Sequence, residues 1–279
     1  MNTRPLFNSI TAAELDAYGR NMSHALLLFG DEGVGLETAA LRLVEVAGAI
    51  SVTVLPEHKD VVDIERGRIT ITVIRRLYDL VRTKSDTRRC VIVTAADTIT
   101  TEAQHAFLKL LEEPSFNTSF ILLCHNPQRL LATVTSRVQQ VRIRRIDRHQ
   151  SEILLDSLKV TDPTTRSQLL FIAEGLPGRL TTLANHPDLL EVEATQLRQA
   201  RTIIQGTAYE RMKTIQGLKD DRIKALKTVA YMIALLRREI IGTQAASSAT
   251  LKLLEQLETA QTRLEANGNV RITLAAAIL

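Results

Sequence analysis

Ala25-Leu26-Leu27-Leu28-Phe29-Gly30-Asp31-Glu32-Gly33-Val34-Gly35-Leu36-Glu37-Thr38 is an apolar run, a glycine loop and the start of a helical pattern, in that order. Gly30, Gly33 and Gly35 lie where a buried strand turns into a helix whose first N–H groups can cradle phosphate. The chemistry of such a loop depends on two further residues. A Lys after the last glycine neutralises the β/γ-phosphates, and the following Ser or Thr holds Mg²⁺. Leu36 and Glu37 stand at those positions. An apolar side chain replaces the cation, and a carboxylate would repel a triphosphate. The loop shape is kept and its chemistry is lost, as in a non-hydrolysing relative of an ATPase.

Outward from the loop, four apolar runs bounded by polar residues fit buried strands: Ala25–Phe29, Val52–Leu55, Cys90–Thr94 and Phe120–Cys124. Helical patterns separate them. Thr38–Val46 follows the loop. Val73, Ile74, Leu77, Leu80 and Val81 repeat at helical spacing, as do Ala103, Ala106, Phe107, Leu110 and Leu111, with Pro114 ending that helix. Alternating strands and helices predict an α/β domain with a parallel sheet covered on both faces. The strand Cys90-Val91-Ile92-Val93 runs into Thr94-Ala95, where a phosphate-loop ATPase carries Asp-Glu to hold Mg²⁺ and orient water. Neither residue can do that work, and Asp97 reads as a turn or helix-start residue. A chance cluster of glycines could explain one failed motif; two at the expected distance read as one dead nucleotide site.

After Ile146 no further strand is expected. Asp147–Lys159, Thr164–Glu174 and Gly178–Asn185 read as short helices, and longer helices follow from about Leu189, with breaks near Gly206, Gly217, Gly242-Thr243 and Asn267-Gly268-Asn269. The predicted organisation is an α/β domain over 1–146, a small helical domain over 147–188 and an all-α domain over 189–279.

Composition limits the function classes. With no Trp and 4% aromatics, the chain is not expected to read nucleic acid by stacking on aromatic platforms. The formal charge of +4 permits contact with phosphate backbones without showing it. Cys90 and Cys124 lie inside apolar runs and form no C-x-x-C pair, so a structural zinc site of that type is excluded. The start of the chain lacks an apolar signal core, and no stretch reaches the roughly 20 apolar residues of a membrane span. A soluble, cytoplasmic protein is expected. From Arg129 to Arg148 there are six Arg and one Asp, a local balance of +5. Within this run Ser136-Arg137 can be read as a solvated pair. Alternatively, an arginine just beyond the sheet of an ATPase-like domain can stabilise transition-state charge in a neighbouring subunit.

Several stretches resemble a known family. Ala103-Gln104-His105-Ala106-Phe107-Leu108-Lys109-Leu110-Leu111-Glu112-Glu113-Pro114 resembles the AxNALLKxLEEP signature of bacterial clamp-loader subunits. Ser136-Arg137-Val138 resembles their SRC motif, His24–Gly30 their HAYLFxG entry to the loop, His58-Lys59-Asp60 their HPD element, and Ile71–Leu77 their IxVxxIRxL helix. Dead nucleotide motifs beside an intact Ser-Arg pair look most like the delta-prime family of DNA polymerase III. That resemblance implies an AAA+ (P-loop NTPase-like) module, a helical lid and a helical collar that holds a hetero-oligomeric ring together.

The resemblance also implies a function. The subunit would have no ATPase of its own, and Gly30, Gly33 and Gly35 would be remnants of a cofactor site. Arg137, with Ser136, would act in trans as an arginine finger on ATP bound by an adjacent gamma/tau subunit. Gamma/tau and delta subunits would be the direct partners, with the sliding clamp and primed DNA reached through the complex and no membrane involved. No cofactor is expected in the chain itself, since the zinc module of most relatives is missing between Ala47 and His58. Val138 replaces the Cys of SRC, and His105 replaces the Asn of the signature and is expected as a buried, hydrogen-bonded residue. Gly175-Leu176-Pro177-Gly178-Arg179 resembles the lid element that carries a nucleotide-sensing arginine, with Arg179 read here as structural. His125-Asn126, at a sensor position, reads as a turn. Two other readings stay open: an active gamma/tau-type ATPase with an unusual loop, and an interaction protein outside replication that reuses a dead AAA+ fold.

Overall fold

The alternation of apolar runs and helical patterns is realised as one five-stranded parallel sheet. The structure, a computed structural model, describes residues 6–56, 67–82, 87–113, 117–243 and 247–278. Packing divides the chain into two units, Met1–Asn185 and His186–Leu279. The first unit opens with α1 (Ser9–Arg20), then runs β1 (Ala25–Phe29), α2 (Leu36–Ala47), β2 (Ile50–Val54), α3 (Ile71–Arg82), β3 (Arg89–Val93), α4 (Thr101–Glu112), β4 (Thr118–Cys124), α5 (Ala132–Thr135) and β5 (Gln139–Arg142). The strand order is β2-β3-β4-β1-β5. The glycine loop therefore leaves an interior strand, next to the edge strand β5.

Side chains alternate across each strand, so one apolar run supplies two cores. Leu27, Val91, Val93, Phe120 and Leu122 face α3 and α4, packing with Ile74, Leu77, Phe107 and Leu111. Leu26, Leu28, Cys90, Ile92, Ile121 and Leu123 face the other way, onto Leu15 of α1 and Leu43 of α2. Phe107 meets Phe120 edge-on at 5.4 Å and 86°. This two-sided cover is why the central strands read as continuous apolar runs.

Two expectations about strands need correction. β5 was not expected, because only Val141 of its four residues is buried. It lies at an edge of the sheet and offers no apolar run to detect. β2 was expected as a buried strand, but it is the opposite edge and four of its residues alternate between exposed and half-buried, with Ile50 exposed as well. The signature helix α4 is capped by Thr100, whose side chain accepts the N–H of Ala103. His58-Lys59-Asp60 and Pro114 lie outside the described residues.

Three short helices complete the first unit: α6 (Arg148–Ser157), α7 (Pro163–Ala173) and α8 (Pro177–Asn185). Asp147 and Gln150 form a reciprocal capping box on α6, and Asp162 caps α7 with Pro163 in its first turn. Both α6 and α7 pack against α8. The second unit is all helix: α9 (Pro187–Gln205), α10 (Ala208–Leu218), α11 (Arg222–Thr243), α12 (Ser248–Glu265) and α13 (Val270–Ile278). α11 packs on α9 and α12, and α10 and α12 each meet α13. Glu193 of α9 is buried with Lys227 and the Tyr231 hydroxyl of α11. A buried carboxylate so satisfied fixes the pairing of the two helices. The break expected at Gly217 falls a little later, since α10 continues to Leu218. No helix among the described residues is long and apolar enough to cross a membrane.

Both cysteines are buried and free. Burial pushes the Cys90 thiol up to about 11. It pushes Cys124 up to about 12, with the Asp97 carboxylate adding to the rise. An unfolded thiol ionises near pH 8.5. The stability both thiols contribute is whole below that pH and is lost as pH rises toward 11–12. Urea midpoints should therefore fall between pH 8 and pH 10.5, and less so in a Cys90→Ala/Cys124→Ala variant. An equal fall in both proteins would assign the alkaline loss to other groups.

Candidate functional site

The glycine loop is tied to other elements of its own unit. Gly33 has φ +84°, a conformation that suits glycine, and its carbonyl accepts the N–H of Gly178 at 2.8 Å. That N–H belongs to the first turn of α8, where helix geometry leaves it without an internal partner. A Cβ on Gly178 would lie 2.9 Å from the Gly33 oxygen, so the contact requires a bare α-carbon at Gly178. Arg145, beyond β5, bridges Asp31 of the loop at 2.7 Å and Glu174 ahead of α8 at 3.0 Å. His125, at the end of β4, places Nδ1 2.8 Å from the Gly30 carbonyl. Val34 and Leu36 are buried in one apolar cluster with Leu176.

The residues after the last glycine take structural roles. Leu36 is 4% exposed and anchors α2 in the core. Glu37 is exposed in the first turn of α2. A carboxylate there is favoured by the positive end of the helix, the same field that a phosphate would use. Gly178→Ala is expected to destabilise the protein by about 1–3 kcal/mol through this overpacking. In an open helix the same change would instead stabilise by roughly 1 kcal/mol. Denaturant midpoints decide the sign.

At the second motif, Thr94 is buried and its Oγ1 donates to the Val54 carbonyl at 3.1 Å. Ala95 has φ +48° and leads into a single 3-10 turn, Ala96–Thr98, that buries Asp97. Among the described residues no cluster of three His, Cys, Asp or Glu side chains is placed to hold a metal ion.

Arg137 stands apart from this site. β1 and β5 run parallel, with Leu26 beside Gln139 and Phe29 beside Arg142. Arg137 precedes β5 at the amino-terminal edge of the sheet, while the glycine loop leaves the carboxyl-terminal edge. At about 3.3 Å per residue, the separation is on the order of 15 Å. Arg137 therefore cannot serve a phosphate on its own loop. Its guanidinium is partly exposed, 2.7 Å from Glu112 at the end of α4 and 3.0 Å from the Thr133 carbonyl. Ser136 caps α5 and donates to the Thr133 carbonyl, while Val138 is buried in the core.

The rest of the basic run is largely neutralised. Arg144 pairs with Glu14, Arg145 with Asp31 and Glu174, and Arg148 with Glu152. Only Arg129 and Arg142 of the six lack a carboxylate partner among the described residues. Arg179 lies at the loop, its backbone N 3.3 Å from where a Gly33 Cβ would be. Asn126 forms the expected turn, accepting the N–H of Gln128.

His105 was expected to be buried and is exposed. The buried polar residue of that helix is its neighbour Gln104, which donates to the carbonyls of Ile99 and Arg129 and accepts the N–H of Leu131. The sequence held a signal for it: Gln104 shares the inward stripe with Phe107 and Leu111 at i, i+3, i+7. Gly178, Arg145 and Glu112 carried no comparable local signal.

This arrangement has recognisable relatives. Residues 13–147 match the family model described as DNA polymerase III, delta subunit. The chain is 43% identical to DNA polymerase III subunit delta' of Pseudomonas aeruginosa over 53 residues, 19% of this chain and 16% of that protein. It is 28% identical to Replication factor C subunit 4 of Encephalitozoon cuniculi over 192 residues, 67% of this chain and 54% of that protein. The chain thus spans about half or less of the length of these relatives. The crystal structure of a DNA polymerase III gamma-subunit-related protein from Thermotoga maritima superposes with a TM-score of 0.53 at 19% identity, covering 95% of this chain and 97% of that one. Residues 13–147, on an α/β fold of the AAA+ type, are thus similar to the DNA polymerase III delta-subunit family.

Proposed function

We propose that this chain is a non-hydrolysing clamp-loader subunit of the delta-prime type, a component of the DNA polymerase III complex that acts in DNA replication in the cytoplasm. Arg137 carries the reading. It is a partly exposed arginine held at the sheet edge opposite its own glycine loop, a position that suits use on another subunit's nucleotide and not on its own. The loop tied to Gly178 and Arg145 supports a subunit that lends a charge and binds no nucleotide or zinc of its own. The ATP would sit on a neighbouring gamma/tau-type subunit, where Arg137 would stabilise the charge that develops on the transferring phosphoryl group. Delta, the sliding clamp and primed DNA complete the assembly. Residues 147–188 take the place of a lid, and the helices of 189–279 form the collar that holds the ring.

Reconstitution tests this directly. Gamma/tau and delta subunits are assayed for ATP hydrolysis and clamp loading on primed DNA, with and without this chain. The chain is expected to join the complex and stimulate both, while labelled ATP fails to bind the chain alone. An isolated chain that binds and hydrolyses ATP would replace this reading with a gamma/tau-type enzyme. Failure to associate with the partners would remove it from the clamp loader.

A further inference from the structure

We infer that Glu112 is the positioning residue of Arg137, fixing the guanidinium for use in trans; this rests on the proposed role of Arg137. Among the described residues the Arg137 guanidinium has two polar contacts. The bond from Nη1 to the Thr133 carbonyl, 3.0 Å, is local to the turn that bears the arginine and steers only the stem. The contact from Nη2 to Glu112 Oε1, 2.7 Å, comes from another element, the last residue of α4. It sets the direction of the charged head.

The site chosen for this carboxylate is informative. Glu112 lies at the carboxyl end of α4, where the helix dipole disfavours an acid and favours a cation. The arginine's charge, held on the carboxylate, compensates what Glu112 alone would cost at that helix end. α4 is also tied to the segment from which α5 starts. Gln104, near its beginning, holds the Arg129 carbonyl at 3.1 Å and the Leu131 N–H at 2.7 Å. One helix thus fixes both the base of the Arg137 turn and its tip. A guanidinium carries five N–H donors. Two are used here, and the remainder can face a phosphoryl group without breaking either contact. Glu112 is half-exposed.

A double-mutant cycle in the reconstituted complex tests this. Glu112→Ala is expected to lower the stimulated kcat about 5- to 30-fold without raising KM for ATP, because the arginine acts on transition-state charge. Glu112→Gln, which keeps the shape and removes the charge, is expected to fall between wild type and Glu112→Ala. In an Arg137→Ala background, Glu112→Ala is expected to change nothing further. An equal loss in both backgrounds would make Glu112 a structural residue of α4 and overturn the inference. An unchanged or faster rate for Glu112→Ala alone would overturn it too, marking the pair as a restraint that must be released. If Arg137→Ala itself leaves the rate intact, the trans-finger reading falls and the inference falls with it, a result distinct from the other two.

Discussion

Arg137→Ala is expected to lower ATP hydrolysis at the neighbouring site by about 10³-fold or more, while the variant still folds and assembles. Two magnitudes separate cleanly here. The Arg137–Glu112 pair is partly exposed, with side chains 38% and 49% accessible, so its loss costs roughly 0.2–1 kcal/mol of stability. A charge aimed at a transferring phosphoryl in a water-excluded site is worth several times that in activation free energy. Single-turnover hydrolysis in complexes containing wild-type or variant chain measures the difference. Co-elution with the partners and an unchanged urea midpoint show that assembly and fold are intact. Equal rates would leave this chain a scaffold.

The second large effect concerns restoration of the nucleotide loop. Leu36→Lys with Glu37→Thr rebuilds the residues that a working loop needs, yet it is expected to create no ATP site. The Gly178 N–H still holds the Gly33 carbonyl, and Arg145 still holds Asp31 and Glu174. The substitution also removes a buried leucine from the cluster with Val34, Leu43 and Leu176, at a cost of about 2–4 kcal/mol. The expected outcome is a less stable protein with no gain in binding, read by denaturation and by titration with a fluorescent ATP analogue. Micromolar binding by the restored variant would show that the two side chains alone had closed the site, and that the contacts from α8 yield easily.

The fold was legible in the sequence where burial is two-sided. Ala25–Phe29, Cys90–Thr94 and Phe120–Cys124 were apparent because strands covered on both faces must be apolar throughout. β5 escaped because one buried side chain in four makes no pattern. β2 was detected and assigned the wrong environment, because β-branched residues also suit an edge. The candidate site was legible as motifs. The glycine spacing, Leu36, Glu37 and Ser136-Arg137 are local strings, and their departures from working chemistry can be read without coordinates. His105 and Gln104 mark the limit: a shift of one residue around a helix is about 100°, enough to exchange an exposed position for a buried one.

By itself, the sequence determined the alternation of strands and helices, the loss of the lysine and hydroxyl from the glycine loop, and the presence of an arginine after α5. These depend on which residues are neighbours along the chain and on the periods of 2 and 3.6 that secondary structure imposes. The tertiary structure alone decided what those residues face. It placed Arg137 at the sheet edge opposite its own loop, set Glu112 against it, laid Gly178 on Gly33, and spent Arg144 and Arg145 on Glu14, Asp31 and Glu174. The last of these takes up part of the charge in a run with a local balance of +5. Such contacts join residues far apart in the chain, and they exist only once the sheet has fixed the direction and order of its strands.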